Sequence, residues 1–405
     1  MRRPRLFHNR DFLLLWGGEA LSELGSQASA VAYPLLILAL TGSAAKAGVV
    51  GLAKWLPLAV FSLPAGVLAD RLDRKRLMIA CDAIRLLGAA SIVVALALGR
   101  PAYLQVVVVA FLDGGLYITS YIAERGALRQ VVAADQLQDA VATNEARTFA
   151  AGLIGPSLGG VLFATARALP FIADAWSFLC SMIAIAATRT RFQLEAGRAG
   201  RTSWRRLGAE LAEGIGWLRH HPFFRTTGLL AAAGNPVYTG LYLLAILLAR
   251  HHHSSAALIG VMFTIVAAFG LLGAVLAGPI RRRLSMHAIV VGEQWLLLGA
   301  VLLLLLAHNA LLIGALVGIA EFPTPVGNAV VAGSRVAAAP DHLQGRVQAA
   351  ASTLAMSLAW LGPLAVGLLF ERTDPTATVL VVAAWTLAMA LVATAAPSLR
   401  EHAPR

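Results

Sequence analysis

Charge is scarce in this sequence: Asp, Glu, Lys and Arg make up 13% of its 405 residues, against roughly 25% in soluble proteins. That scarcity excludes an ordinary water-solvated surface. Cysteine is scarcer still, and both residues, Cys81 and Cys180, fall inside apolar segments, which excludes a disulfide framework and a thiolate metal centre. No G-x-x-x-x-G-K-[ST] phosphate loop occurs, so an ATP-driven pump of that type is excluded. Acids are outnumbered by bases, 21 to 33, for a net charge of +12, which in a soluble chain would suggest nucleic acid. Here the bases sit in alternate loops, so no nucleic-acid partner is expected. What is abundant is apolar: 58% of the residues are hydrophobic and the mean hydropathy is +0.73. This is the composition of a polytopic membrane protein.

Twelve apolar segments can be drawn, at 12–40, 45–69, 77–98, 102–123, 141–165, 168–187, 224–249, 256–278, 288–307, 309–333, 347–370 and 376–396. About 20 apolar residues cross a bilayer as a helix. Barrel strands would alternate over about ten residues, so the fold class is all-α, a polytopic bundle. Arg2, Arg3, Arg5 and Arg10 precede span 1, and Arg71, Arg74, Lys75 and Arg76 follow span 2; further arginines crowd the 190–222 stretch and Arg281–Arg283. Positive charge in every second loop places both termini in the cytoplasm. The basic start could flank a signal peptide, but the apolar run after it is too long and contains Glu19 and Glu23, so it reads as an uncleaved first span. The 190–222 stretch breaks the apolar pattern and carries a stripe of Trp204, Leu207, Leu211, Ile215 and Leu218, as expected of a helix lying along the interface. It divides the chain into bundles at 1–189 and 223–405. The halves repeat each other: Ser43-Ala-Ala-x-x-Gly48-Val49 returns as Ser255-Ala-Ala-x-x-Gly260-Val261, Asp135-Gln-Leu-Gln as Asp341-His-Leu-Gln, and Gly155-Pro156 as Gly362-Pro363. Ordered repeats of one orientation are parallel repeats of six spans.

Between spans 2 and 3 runs Gly66-Val-Leu-Ala-Asp70-Arg71-Leu-Asp73-Arg74-Lys75-Arg76-Leu-Met78. It resembles G-x-L-a-D-r-x-G-r-k-x-x-l, the loop signature of the major facilitator superfamily, with Asp73 in place of the usual glycine. Gly152-x-x-Gly155-Pro156-x-x-Gly159-Gly160 in span 5 resembles the antiporter motif of the same superfamily; glycines so spaced also let a neighbouring helix come close. With Gly345-Arg346-Val347 before span 11 and the Asp82-x-x-Arg85 pair, the order of motifs is similar to that of the drug and siderophore exporter branch, which includes macrolide-efflux and enterobactin-export proteins.

Charges within spans are functional candidates by default. Glu23 lies about 17 Å into span 1 at 1.5 Å per residue, with Asp113 in span 4 and Glu321 in span 10 at similar depth. Glu19 is one turn from Glu23, and Lys54 in span 2 could neutralise Glu23 or Asp113. The resemblance implies that spans 1, 4, 7 and 10 line the central cavity, making Glu23, Asp113, Glu321, Glu19 and Lys54 the proton-coupling candidates. Family antiporters often carry a midplane arginine in span 4; here Asp113 occupies that region and no accompanying base is expected. Asp82 and Arg85 read as a self-satisfied pair near water, and Asp174 and Glu293 as reaching the headgroups. Asn235, Tyr238 and Tyr242 form one face of span 7 beside an expected helix break at Gly234-Asn235-Pro236. Glu321-Phe322-Pro323 is a second expected break. Asn235, Tyr238, Tyr242 and Phe322 are therefore the substrate-cavity candidates. The resemblance further implies that Gly66, Asp70, Arg71, Asp73 and Arg74 form a conformational latch, Asp70 meeting the start of span 11. His251–His253 and His220-His221 fall on different sides of the membrane and make no metal site.

The expected function is proton-coupled efflux of small amphipathic or hydrophobic molecules by alternating access, in the bacterial inner membrane. The alternatives are an uptake carrier of the same fold and a membrane enzyme or sensor. The chain is expected to be no enzyme, to need no cofactor, and to act as a monomer whose partners are a small-molecule substrate, protons and the lipid bilayer.

Overall fold

The computed structural model describes residues 6–193, 204–340 and 343–400, with side chains of residue 63 and of 204–207 left aside. Among the described residues there is no strand. The helices are α1 (Arg10–Thr41), α2 (Ala44–Arg71), α3 (Arg74–Ala97), α4 (Tyr103–Val131), α5 (Leu137–Thr165), α6 (Leu169–Ala187), α7 (Trp204–His220), α8 (Pro222–His251), α9 (Ala256–Arg283), α10 (Met286–Leu303), α11 (Ala310–Glu321), α12 (Thr324–Ala338), α13 (Gln344–Met356), α14 (Leu361–Arg372), α15 (Pro375–Ala395) and α16 (Pro397–Arg400). They supply 12 stretches long and apolar enough to span a membrane, and each overlaps one of the twelve segments drawn from the sequence. Span 10 is α11 and α12 together, and span 11 is α13 and α14. The amphipathic segment is helical as α7, although Arg198 and Arg201 of that stretch, and Asp341 of the second repeat block, lie outside the described residues.

Two units can be separated, one of residues 1–40 and 53–202, the other of residues 41–52 and 203–405. In lipid, apolar side chains gain little by meeting one another, so helices associate where small residues permit close backbone contact. In the first unit, a Cβ on Gly159 of α5 would run into the Ala28 carbonyl of α1, and one on Gly155 into Gln27. In the second, a Cβ on Gly362 would strike the Pro236 carbonyl of α8. The repeated Gly-Pro pair therefore makes the same contact twice, α5 on α1 and α14 on α8. Gly152, by contrast, faces open space.

Three sequence expectations are corrected. Span 4 does not end at residue 123 but continues as α4 to Val131, and Glu124 just past the drawn edge is buried in an ion pair with Arg147. Span 7 is not broken at Gly234-Asn235-Pro236: α8 runs through with Pro236 inside it. The unforeseen break is in span 11, over Ser357–Trp360. Pro363 has no N–H for the Ala359 carbonyl, and Thr239 Oγ1 of α8 donates to that carbonyl at 2.6 Å while Asn235 Nδ2 donates to the Ala355 carbonyl at 2.9 Å.

The signature loop has its own local account. Asp73, in the usual glycine position, is the N-cap of α3, accepting from the Arg76 amide at 2.9 Å, a contact worth about 1 kcal/mol. Arg74 ties the end of α2 to α4 by donating to the carbonyls of Ala69 (3.1 Å) and Gly126 (3.0 Å). Lys75 Nζ donates to Ala186 and Thr188 carbonyls at the end of α6.

Candidate functional site

The inward charges of the first unit gather on two facing stripes. On α1 stand Glu19, Ser22, Glu23 and Ser26, at helical offsets of three, four and seven; on α4 stand Asp113, Tyr117, Ser120, Tyr121 and Glu124. Offsets of this kind keep side chains on one face, so each helix turns a polar stripe inward. A small recess between them is lined by Glu19, Ser22, Glu23, Ser26, Arg85, Tyr117, Ser120, Tyr121 and Glu124.

At one end of the seam, Asp113 is held by two bases. Arg85 Nε donates to Asp113 Oδ1 at 2.7 Å, and Lys54 Nζ pairs with Asp113 Oδ2. Arg85 Nη2 also donates to Ser26 Oγ at 2.8 Å, and its guanidinium lies 4.2 Å from the Phe178 ring centroid. This corrects two expectations: a base does accompany Asp113, and Arg85 is no self-contained partner of Asp82, which is 3.8 Å away. Both are buried, at 1% and 5% exposure for Asp82 and Arg85, instead of lying near water. Sequence spacing showed the i, i+3 neighbour and could not show the partner across the bundle. Lys54 meets Asp113 and not Glu23.

At the other end, Arg147 of α5 clamps Glu124 with two hydrogen bonds of 2.7 and 3.1 Å, and Asn144 adds a third at 3.0 Å. Neither Glu124 nor Arg147 was singled out from the sequence; the signal was there in the spacing, since Glu124 follows Asp113 by three helical turns on one face.

Between these ends, Glu23 is 8% exposed and accepts from Gln27 Nε2, at 3.1 Å. Glu19 Oε1 and Ser120 Oγ are buried without a hydrogen-bond partner. Asp174, expected among headgroups, is 1% exposed with its Oδ1 unpartnered; it sits against α1, where a Cβ on Gly25 would press on it. Among the described residues, the inward side of this unit thus carries six acids, Glu19, Glu23, Asp82, Asp113, Glu124 and Asp174, against three bases, Lys54, Arg85 and Arg147. Those bases are drawn to Asp113 and Glu124, leaving Glu19 and Glu23 without a salt bridge.

In the second unit, Glu293, expected among headgroups, is half-buried and bonded to α8. Tyr238 donates to its Oε1 at 3.3 Å, and Thr324 Oγ1 donates to the Tyr238 hydroxyl at 3.2 Å. Tyr242, one turn further along α8, stacks on Phe263 with centroids 5.3 Å apart and planes 9° from parallel. Glu321 ends α11, and Phe322 opens the break before α12, its carbonyl pressed against Gly273 of α9. Asn235 has a different role, its amide being spent on the Ala231 and Ala355 carbonyls.

Of the loop residues, Asp70 Oδ1 pairs with Arg74 Nη2 at 3.4 Å, and the Asp70 carbonyl accepts from Gln193. Gly66 has open space where a Cβ would stand, and Arg71 closes α2. Pro156 and Gly160 are buried in α5 beside Gly155 and Gly159.

Comparison with known proteins agrees with this architecture. The multidrug efflux pump Tap of Mycobacterium tuberculosis is 30% identical over 412 aligned residues, covering 96% of this chain and 94% of the pump. Macrolide efflux protein A of Streptococcus pyogenes is 40% identical over 73 residues, 18% of each chain. Among solved structures, a bacterial homologue of the human lysosomal transporter Spinster, captured inward-facing and unoccupied, superposes with a TM-score of 0.75 at 14% identity, covering 99% of both chains. The sequence model of the transmembrane secretion effectors matches residues 5–404. With its twelve membrane-spanning stretches, this chain belongs to the transmembrane secretion effector family of the major facilitator superfamily, and it is a transporter rather than an enzyme.

Proposed function

We propose that the chain exports small amphipathic molecules across the bacterial plasma membrane in exchange for protons, by alternating access, with both termini cytoplasmic. The observation that carries the proton coupling is the excess of acid in the first unit. An isolated carboxylate in a low-dielectric interior is costly, and taking up a proton removes that cost. Among the described residues Glu23 and Glu19 have no salt-bridged base to do so, whereas Asp113 is already neutralised by Lys54 and Arg85. Glu23 is thus the proton carrier, with Glu19 one turn away as its relay, and Asp113 fixes the Arg85 and Lys54 side chains. The names of the relatives, a multidrug efflux pump and a macrolide efflux protein, support export as the direction.

The test is transport in reconstituted vesicles with an imposed pH gradient. Glu23→Gln is expected to abolish gradient-driven movement while downhill exchange of substrate persists. Full gradient-driven transport by Glu23→Gln and by the Glu19→Gln/Glu23→Gln double variant would overturn the assignment. Accumulation driven by the proton gradient in the direction of uptake would overturn export.

A further inference from the structure

The two halves of span 11 are fastened in different ways. The second half, α14, lies backbone to backbone on α8: a Cβ on Gly362 would strike the Pro236 carbonyl, and one on Gly240 the Gly362 carbonyl. The first half, α13, meets α8 at Gly228 through the tip of the Leu354 side chain. Its close backbone contact is with α7 instead. A Cβ on Gly214 would run into the Arg346 carbonyl and the Ala350 side chain. Arg346, of the Gly345-Arg346-Val347 motif, reaches Glu213 at 2.5 Å and Glu210 at 3.6 Å. The helix that grips α13 is itself fixed to α8 at their corner, where the rings of Trp217 and His221 stack with centroids 4.0 Å apart and Phe224 lies 5.1 Å from Trp217.

Between the halves, residues 357–360 leave the α-helix, and the break is furnished with its own partners. Asn235 and Thr239 of α8 donate to the Ala355 and Ala359 carbonyls, Ser357 Oγ to the Leu354 carbonyl at 2.7 Å, and Trp360 Nε1 to the Ser357 carbonyl at 2.8 Å. An opened backbone at membrane depth is tolerated where the freed groups find such partners, and a few residues at an element's end can absorb the rotation of one helix against another. Neither feature occurs in the first copy of the repeat: α5 runs unbroken through Pro156, and Ala140 stands where the second copy has Arg346.

We infer that α7 is a bracket on a hinged half-span: α13 turns about residues 357–360 while α14 stays on α8, and the grip of Glu210 and Glu213 on Arg346 sets where α13 rests. The side chains in the grip are 30–47% exposed, so water and salt compete for the pairs and the grip can be released. The device requires neither a direction of transport nor a coupling ion, and it stands or falls apart from the export reading.

The experiment is hydrogen–deuterium exchange read by mass spectrometry on the purified full chain in nanodiscs. Glu210→Gln/Glu213→Gln is expected to speed exchange of the α13 amides about fivefold, with α14 unchanged and serving as the internal reference for folding. High salt, which screens partly exposed pairs, should speed α13 in wild type and not in the double variant. In a Glu210→Gln background, Arg346→Glu should speed α13 exchange, and Arg346→Glu/Glu213→Arg should restore protection. Unchanged exchange of α13 in the double variant, a rise that spreads equally through α14, or no rescue by the charge reversal would each overturn the inference.

Discussion

Neutralising Asp113 and neutralising Glu23 should do different damage, although each change swaps a buried carboxylate for its amide. Asp113→Asn removes the counter-charge of Arg85, whose side chain is 3% exposed, and of Lys54, whose side chain is 24% exposed. Breaking a buried pair from one side costs about 3–5 kcal/mol, because the surviving charge is left uncompensated. Lys54 can recover part of its hydration; Arg85 cannot, and Asp82 at 3.8 Å is the acid left within ion-pair distance among the described residues. Glu23→Gln strands no base, so its effect on stability should stay within about 1 kcal/mol. The assay is thermal unfolding followed by a thiol-reactive dye, since Cys81 is buried and becomes reactive on unfolding, in a Cys180→Ser background that silences the exposed thiol. Asp113→Asn should unfold at clearly lower temperature, Glu23→Gln close to wild type, and Arg85→Met/Asp113→Asn should regain stability over Asp113→Asn alone. Equal destabilisation by the two single changes, or a double variant weaker than Asp113→Asn, would refute the division of the seam into a clamped carboxylate and a free one.

Gly159→Val should lower the amount of folded protein, because the side chain collides with the Ala28 backbone, whereas Gly152→Ala should be tolerated in open space; detergent-solubilised yield and monodispersity check this. If Asp70 serves as a latch, Asp70→Asn should lower transport more than abundance, its charge being lost with little change of volume; unchanged transport with unchanged thiol accessibility of the cytoplasmic half would remove the latch. Reporter fusions at Arg400 and within the 190–222 stretch should read cytoplasmic and a fusion at His252 external, and the opposite pattern would reverse the topology.

The spans are legible in the sequence because crossing a bilayer demands a run of apolar residues long enough to be counted, and that demand is local. Where a charge interrupts the run, the sequence is silent on whether the helix ends or the charge is paired elsewhere. Glu124 shows the difference: its partner Arg147 lies in the next helix, and with the charge paired there α4 continues to Val131. Arg85 is the same case, its length spanning to α4 while spacing along the chain points only to its neighbour Asp82. Helix breaks are half legible for a similar reason. Proline removes one donor at a known place, but whether the helix then opens depends on what reaches the freed carbonyl, and in span 11 that is Thr239 from another helix.

Both copies of the repeated Gly-Pro pair bring a helix hard against its neighbour, Gly155 and Gly159 against α1 and Gly362 against α8, so the packing of the two units follows one pattern. Their charges do not. The first unit spends arginine and lysine on Asp113 and Glu124 and leaves Glu23 unpaired, which suits a group that must take up and release a proton. Among the described residues, the second sets tyrosine and not a base beside its half-buried acid Glu293, Tyr238 donating to it. One fold with two chemistries requires only that substitutions fall on the inward stripes while the small residues at the contacts stay small.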